Sequence, residues 1–303
     1  MSVATKILVA VCVCALLLTS GRAQAEKTVR VVASFSILGD MVKTIGGERV
    51  TVTTLVGADG DVHAYEPTPA AAKTVSEADL VVVNGLGLEG WVDRLIKASG
   101  YKRVVVVAST GVKPRKMKED HLGGRMVADP HAWQDIDNGR LYVDTITRAL
   151  ISVNPAGAGT YSANSDTYTA KLIELNTWVK SEFSAIPDLK RRMITTHDAF
   201  GYLSDAYGID ILSPMGLSTE SESSAGEVKK LIQQIRKEKI TAVFVENITD
   251  PRMIEQIAKE SGVTVGGELY SDALSKADGP APTYIDMFKS NVSKIVAAMK
   301  KRE

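Results

Sequence analysis

Twice along the chain, short β-branched runs alternate with stretches whose apolar residues recur at helical spacing, and one unusually long helical run separates the two blocks. The first block reads as strand 29–34, helix 37–45, strand 50–55, helix 69–78, strand 80–84, helix 91–98 and strand 104–108. Strands joined through helices must run parallel, because a parallel pair needs a crossover long enough to hold a helix. The runs "LVVVN" and "RVVVV" are apolar without interruption, the pattern of strands covered on both faces.

Val143, Ile146, Leu150 and Val153 then mark a helix, and Asn154-Pro155 reads as an N-cap followed by proline at the first helical position. From there Tyr161, Tyr168, Leu172, Leu175, Val179, Phe183 and Ile186 keep one helical face until Pro187, a span of about 32 residues or ~48 Å. Such a helix is a strut crossing between two lobes; two shorter helices broken near Ser165 are the alternative. Beyond Pro187 the alternation resumes as strand 193–196, helix 199–207, strand 209–212, helix 227–237, strand 242–246, helix 252–261, strand 263–265 and helix 285–299. The expected fold is α/β, with two lobes, each a mostly parallel sheet flanked by helices, joined by one long backbone helix. Its parts are residues 26–154, 155–186 and 187–303.

Residues 1–25 combine Lys6, an apolar run from Ile7 to Leu18 and the small-x-small string Ala23-Gln24-Ala25, the form of a secretory signal peptide. The apolar run is shorter than the ~20 residues that span a bilayer. The only two cysteines, Cys12 and Cys14, lie inside this signal, so the exported chain holds metal through nitrogen and oxygen alone. A lipoprotein would need Cys12 or Cys14 as its acylated residue, which leaves almost no apolar run before it. Basic and acidic residues number 36 each, so no positive field exists to gather nucleic acid or anionic lipid. The expectation is a soluble periplasmic monomer without a membrane anchor.

Of four histidines, three sit in short turns after strands or beside proline and glycine: His63 in "GADGDVHAYEP", His131 in "ADPHAWQD" and His197 in "MITTHDAF". Loops at the carboxyl ends of parallel strands are where ligands gather. Two of these histidines belong to the first lobe and one to the second, which points to a cleft between lobes. Asp272 in "GGELYSDALS" follows another strand-like run and completes a tetrahedral set of three imidazoles and one carboxylate, suited to Zn²⁺. Glu246, at the end of "VFVEN", and Asp129 and Asp198, beside two of the histidines, are candidate acceptors behind the ligand imidazoles. His121, in "KMKEDHLGG", is a loop residue or at most a transient metal contact. No catalytic elbow, phosphate loop or H-E-x-x-H pair is present. "GLGLEG" matches a dinucleotide string, but no acid ends the next strand to hold a ribose, and a plain glycine turn is the preferred reading.

At these residues the sequence resembles the metal-binding receptors of zinc and manganese ABC importers, the TroA-like periplasmic proteins, and within them the AztC-type zinc receptors. The likeness runs through "ASFSILGD", "GDVHAYEPTPA", "NGLGLEGW", "DPHAWQD", "THDAF", "STESESSAGEV", "VFVEN" and "LYSDALS". It implies one metal at the lobe interface, ligands His63, His131, His197 and Asp272, and a cognate ABC permease in the inner membrane as partner. Manganese receptors of the family usually have Glu at the third ligand position and zinc receptors His, so His197 implies zinc. The loop between Gly111 and Asp129 lacks the histidine-rich tract of many zinc receptors, which keeps manganese or iron as the rival cargo. From another class, a zinc hydrolase would hold the metal on three histidines and keep water at the fourth position; Asp272 on the metal closes that position. Metal affinity is expected to fall as pH drops through the ordinary histidine range, near ~6.5.

Overall fold

The structure, a computed structural model, describes residues 28–119, 124–220 and 224–300. The signal segment 1–25 and His121 lie outside the described residues, within which no helix is long and apolar enough to cross a membrane.

The first lobe runs β1 (Val29–Phe35), α1 (Ser36–Gly46), β2 (Val50–Val56), α2 (Pro69–Glu77), β3 (Leu80–Val83), α3 (Val92–Ser99) and β4 (Val105–Val107). Its four strands are parallel in the order β2-β1-β3-β4. β1 is central and buries Val31, Val32, Ala33 and Phe35. α2 starts where it does because the Thr68 side chain accepts from the Ala71 N–H and Pro69 fills the first helical turn, which needs no further donor. β4 departs from expectation: as an edge strand it leaves Val105 and Val107 38% and 40% exposed, so its apolar run is not covered on both faces.

An antiparallel hairpin follows, β5 (Lys116–Glu119) with β6 (Arg125–Ala128). The sequence pattern misses it because "KMKE" alternates lysine with a single apolar residue and its partner strand shows no alternating buried face. α4 (Ile136–Val153) is capped by Asp135, and after a 3-10 turn at Pro155–Gly157 comes α5 (Ala158–Ser184). α5 is continuous through Ser165, 27 residues long, or ~40 Å. Gly157 in that turn lies under the Tyr161 ring, where a Cβ would stand 2.6 Å from it. α5 buries Tyr161, Tyr168, Leu172, Leu175, Val179 and Phe183, packing on α1 and α4 of the first lobe.

The second lobe contains β7 (Arg192–Ile194), α6 (Gly201–Tyr207), β8 (Asp210–Leu212), α7 (Ala225–Glu238), β9 (Ala242–Glu246), α8 (Arg252–Ser261), β10 (Val265–Leu269) and α9 (Tyr284–Lys300). Its parallel order is β10-β9-β7-β8. α5 also packs on α9 and α6, so the strut touches both lobes. α7 opens with a reciprocal cap between Ser224 and Glu227. β10 begins later than expected because Gly262, at φ +77°, ends α8 in a left-handed turn and uses Val263 as the connection.

The lobes meet at the start of α9. The Tyr284 hydroxyl donates to the Trp133 carbonyl, its ring lies where a Cβ on Gly139 would stand, and its backbone N–H donates to Asp40 Oδ2 at 2.9 Å. Burial raises the Asp40 pKa to about 6 despite that hydrogen bond. A carboxyl whose pKa rises on folding adds stability in full below its unfolded value, and that contribution is lost as pH climbs through about 6. Asp40→Asn keeps the acceptor for Tyr284 and removes the buried charge. Urea unfolding should show the variant more stable than the parent at pH 7.5, by up to about 3 kcal/mol, and the difference should vanish near pH 4.

Candidate metal centre

The four residues singled out from the sequence come together at the lobe seam. His63 lies in the loop after β2, His131 in the turn between β6 and α4, His197 just after β7 and Asp272 just after β10. Asp272 Oδ2 is 3.0 Å from His63 Nε2, 3.2 Å from His197 Nε2 and 3.7 Å from His131 Nε2, and the last is 3.3 Å from His63 Nε2. One donor atom from each residue falls within a 4.8 Å set. His131, His197 and Asp272 are fully buried, and only His63 keeps a trace of exposure, 5% of its side chain.

The far side of two imidazoles meets a carboxylate. His131 Nδ1 lies 2.9 Å from Asp129 Oδ1, and His197 Nδ1 lies 2.6 Å from Glu246 Oε2. The other Glu246 oxygen accepts the Thr196 and His197 backbone N–H groups at 2.7 and 2.9 Å, which locks the loop after β7. Such partners orient each ring so that Nε2 faces inward. Burial alone would push the His131 pKa down; the charge of Asp272 and the bond to Asp129 outweigh it and lift the value to about 9. His197 is likewise raised well above the ordinary range, with burial overcome by Glu246 and Asp272. Burial would raise Asp272, yet His131 and His197 hold its carboxyl well below the usual range. Asp272 Oδ1 is buried with no hydrogen-bond partner. A cation among the four donors would replace these protons and give the orphaned oxygen a partner.

Residues the sequence reading did not single out hang the loops in place. Trp133 Nε1 and Gln134 Nε2 both donate to the Ser271 carbonyl, at 3.0 and 2.8 Å, so the first lobe grips the residue before Asp272. Asn247 Nδ2 donates to Asp59 Oδ1 and to the Ala273 carbonyl, and the Asp59 N–H donates to the Leu274 carbonyl. Arg115 Nη1 donates to Asp129 Oδ2 at 3.3 Å, while its Nε donates to Asp205 of the second lobe. The buried Trp and Gln of "DPHAWQD", polar-tipped side chains beside a ligand, were the available signal.

The "GLGLEG" string is a turn that its own sequence fills. Glu89 Oε1 accepts from Ser34 Oγ and the Asn84 N–H, both at 2.6 Å, and Oε2 accepts from the Gly85 N–H at 3.2 Å. A carboxylate thus sits on amides that a phosphate would need. Gly85 has φ +81°, and a Cβ there would stand 2.4 Å from Val107. The turn serves the metal centre: Asn84 Nδ2 donates to the Pro130 carbonyl next to His131, and Trp91 Nε1 donates to the Val62 carbonyl next to His63. Asp198 is tied into its own lobe by its backbone N–H on the Gly216 carbonyl.

Residues 31–298 match the family described as zinc-uptake complex component A periplasmic, ZnuA. The chain is 35% identical over 280 residues to the manganese-binding lipoprotein MntA of Halalkalibacterium halodurans, covering 92% of this chain and 91% of that one. Its fold superimposes on the periplasmic zinc binding protein TroA of Treponema pallidum with a TM-score of 0.85 at 29% identity, over 90% of this chain and 100% of that one. It superimposes on the manganese-bound periplasmic metal binding protein of Candidatus Liberibacter asiaticus with a TM-score of 0.80 at 32% identity and the same coverage. The match along most of the chain, on a shared two-lobed fold, shows that this protein belongs to the ZnuA/TroA family of extracytoplasmic metal-binding receptors of ABC transporters, solute-binding proteins and not enzymes.

Proposed function

We propose that His63, His131, His197 and Asp272 hold one divalent transition metal, Zn(II), which the protein delivers to its ABC permease in the inner membrane. The observation that carries this reading is the convergence of three Nε2 atoms on one Asp272 oxygen, with carboxylates behind His131 and His197. Three imidazoles and one carboxylate suit Zn²⁺, while Mn²⁺ prefers oxygen donors and lies at the weak end of the Irving–Williams order. Zinc bound there leaves a formal charge of +1, which Glu246 and Asp129 offset from behind.

The second reading is a manganese or iron receptor. Asp272 Oδ1, buried and unpartnered, favours it, because a bidentate carboxylate adds a fifth donor for an ion that takes more oxygen ligands. The names of MntA and of the manganese-bound relative point the same way. Within the zinc reading the specificity proposed is that of the AztC-type receptors. The mature protein acts as a periplasmic monomer released after residue 25, with lobes at 26–154 and 187–303 about the strut 155–186; acylation at Cys12 or Cys14 is the alternative suggested by relatives named lipoproteins.

Calorimetry of the chelator-stripped protein, with zinc and manganese in direct competition, tests the cargo. One zinc site with a dissociation constant near nanomolar, about −12 kcal/mol, should resist excess manganese. His197→Ala should weaken it by about 100-fold or more, because one ligand is lost and Glu246 is left buried without its partner. Manganese preference, or indifference to the substitution, would move the assignment to the second reading. Glu246→Gln should cost about 10–100-fold in zinc affinity, read in the same assay. The pH window lies higher than the ordinary histidine value: with the empty-site His131 near 9, apparent zinc affinity should keep climbing from pH 6 to about 9. A plateau above pH 7 would contradict the proton competition described.

A further inference from the structure

A cleft of about 540 Å³ opens beside the metal centre, lined among others by Asp61, Thr196, Met215, Thr219, Thr249 and Asp250. It crosses the lobe seam: Asp61 belongs to the first lobe and the other five to the second. Its lining also includes the immediate neighbours of two of the four proposed ligands, one from each lobe. Thr196 directly precedes His197, and Asp61 Oδ1 accepts the His63 backbone N–H at 2.9 Å. With His131, His197 and Asp272 fully buried, His63 is the only one of the four proposed ligands whose side chain keeps any exposure.

The lining has the chemistry of a hydrated cation's surroundings. Asp250 is matched by Arg252, whose Nε lies 2.9 and 2.8 Å from its two oxygens, so Asp61 is the carboxylate that gives the cleft its negative charge. Thr219 Oγ1 donates to Asp61 Oδ2 at 2.6 Å, a latch between the lobes across the mouth. In the wall next to His197, Thr196 is 1% exposed and its Oγ1 is buried with no hydrogen-bond partner. Nothing else among the described residues uses that hydroxyl. A water shell donates readily to a carboxylate and exchanges hydrogen bonds with hydroxyls, so this cleft can hold an aquated divalent ion through its waters.

We infer that the cleft is a capture site in which Asp61 and Thr196 hold a hydrated divalent transition-metal ion before it sheds water and passes between His63 and His197. The inference rests on the ligand assignment proposed above. Asp61 acts on the rate of arrival: a single negative charge at a low-dielectric cleft raises the local cation concentration and makes association sensitive to salt. The latch to Thr219 opens to let the ion through.

Stopped-flow mixing of the stripped full-length mature protein with Zn²⁺ alone, over a range of ionic strength, tests this. Asp61→Asn removes the charge but keeps the acceptor for the His63 N–H. It should bind one zinc per chain with an association rate lowered on the order of 3–10-fold, a dissociation rate within about two-fold of the parent, and a flatter salt dependence. Thr196→Val should also slow association at unchanged stoichiometry, and Thr219→Val should speed association and dissociation together. Stoichiometric zinc binding with both Asp61→Asn and Thr196→Val associating at the parent's rate would overturn the capture site alone, as would faster dissociation of Asp61→Asn at an unchanged association rate. A parent protein that takes up no zinc would overturn the ligand assignment itself.

Discussion

Three imidazoles and a carboxylate set within 4.8 Å of one another, three of the four side chains sealed from solvent, make the most demanding arrangement in this molecule. Burying such a cluster costs the hydration of every polar group in it. The cluster persists because each element around it has been given a part in holding it. Carboxylates stand behind His131 and His197, and the elevated proton affinities of both rings express the same field that would stabilise a cation. The charge of Asp272 is what draws the histidines in, and the histidines in turn keep Asp272 ionised.

The architecture follows from that demand. A cluster built from one lobe alone would leave a side open to water, so donors are taken from loops of both lobes and the seam closes over them. The seam is stitched by polar contacts at the loops themselves: Trp133 and Gln134 on the Ser271 carbonyl, Thr219 on Asp61, Asn247 on Asp59. The long helix α5 lies against helices of both lobes and buries a continuous apolar face, which fixes their spacing. Rigidity is thus supplied by apolar packing at a distance, and precision by hydrogen bonds nearby.

Much of this was legible from residue order. Strand–helix alternation carried the parallel sheets, the apolar face from Tyr161 to Phe183 carried the strut, and the turn positions of three histidines marked residues that the fold brings together. What escaped did so for physical reasons. In the β5–β6 hairpin, β6 buries no alternating face, and "KMKE" holds a single apolar residue, so the pair leaves no periodic trace in the sequence. β4 reads as a covered strand because the chain cannot announce that it lies at the edge of a sheet. The "GLGLEG" string carries the spacing of a phosphate loop, and only the fold places the Glu89 carboxylate on the amides concerned.

The sequence by itself determined the chemistry of the candidate donors, the class of fold and the division into two lobes, because these depend on residue type and short-range periodicity. Tertiary structure alone decided the rest: that Asp272, far along the chain, reaches all three histidines, that Asp129 and Glu246 but not Asp198 stand behind the rings, and that Trp133 grips the loop before Asp272. Those facts turn on distances of a few ångströms between segments separated by many residues. Such distances are set by how two lobes pack, and no local pattern encodes them.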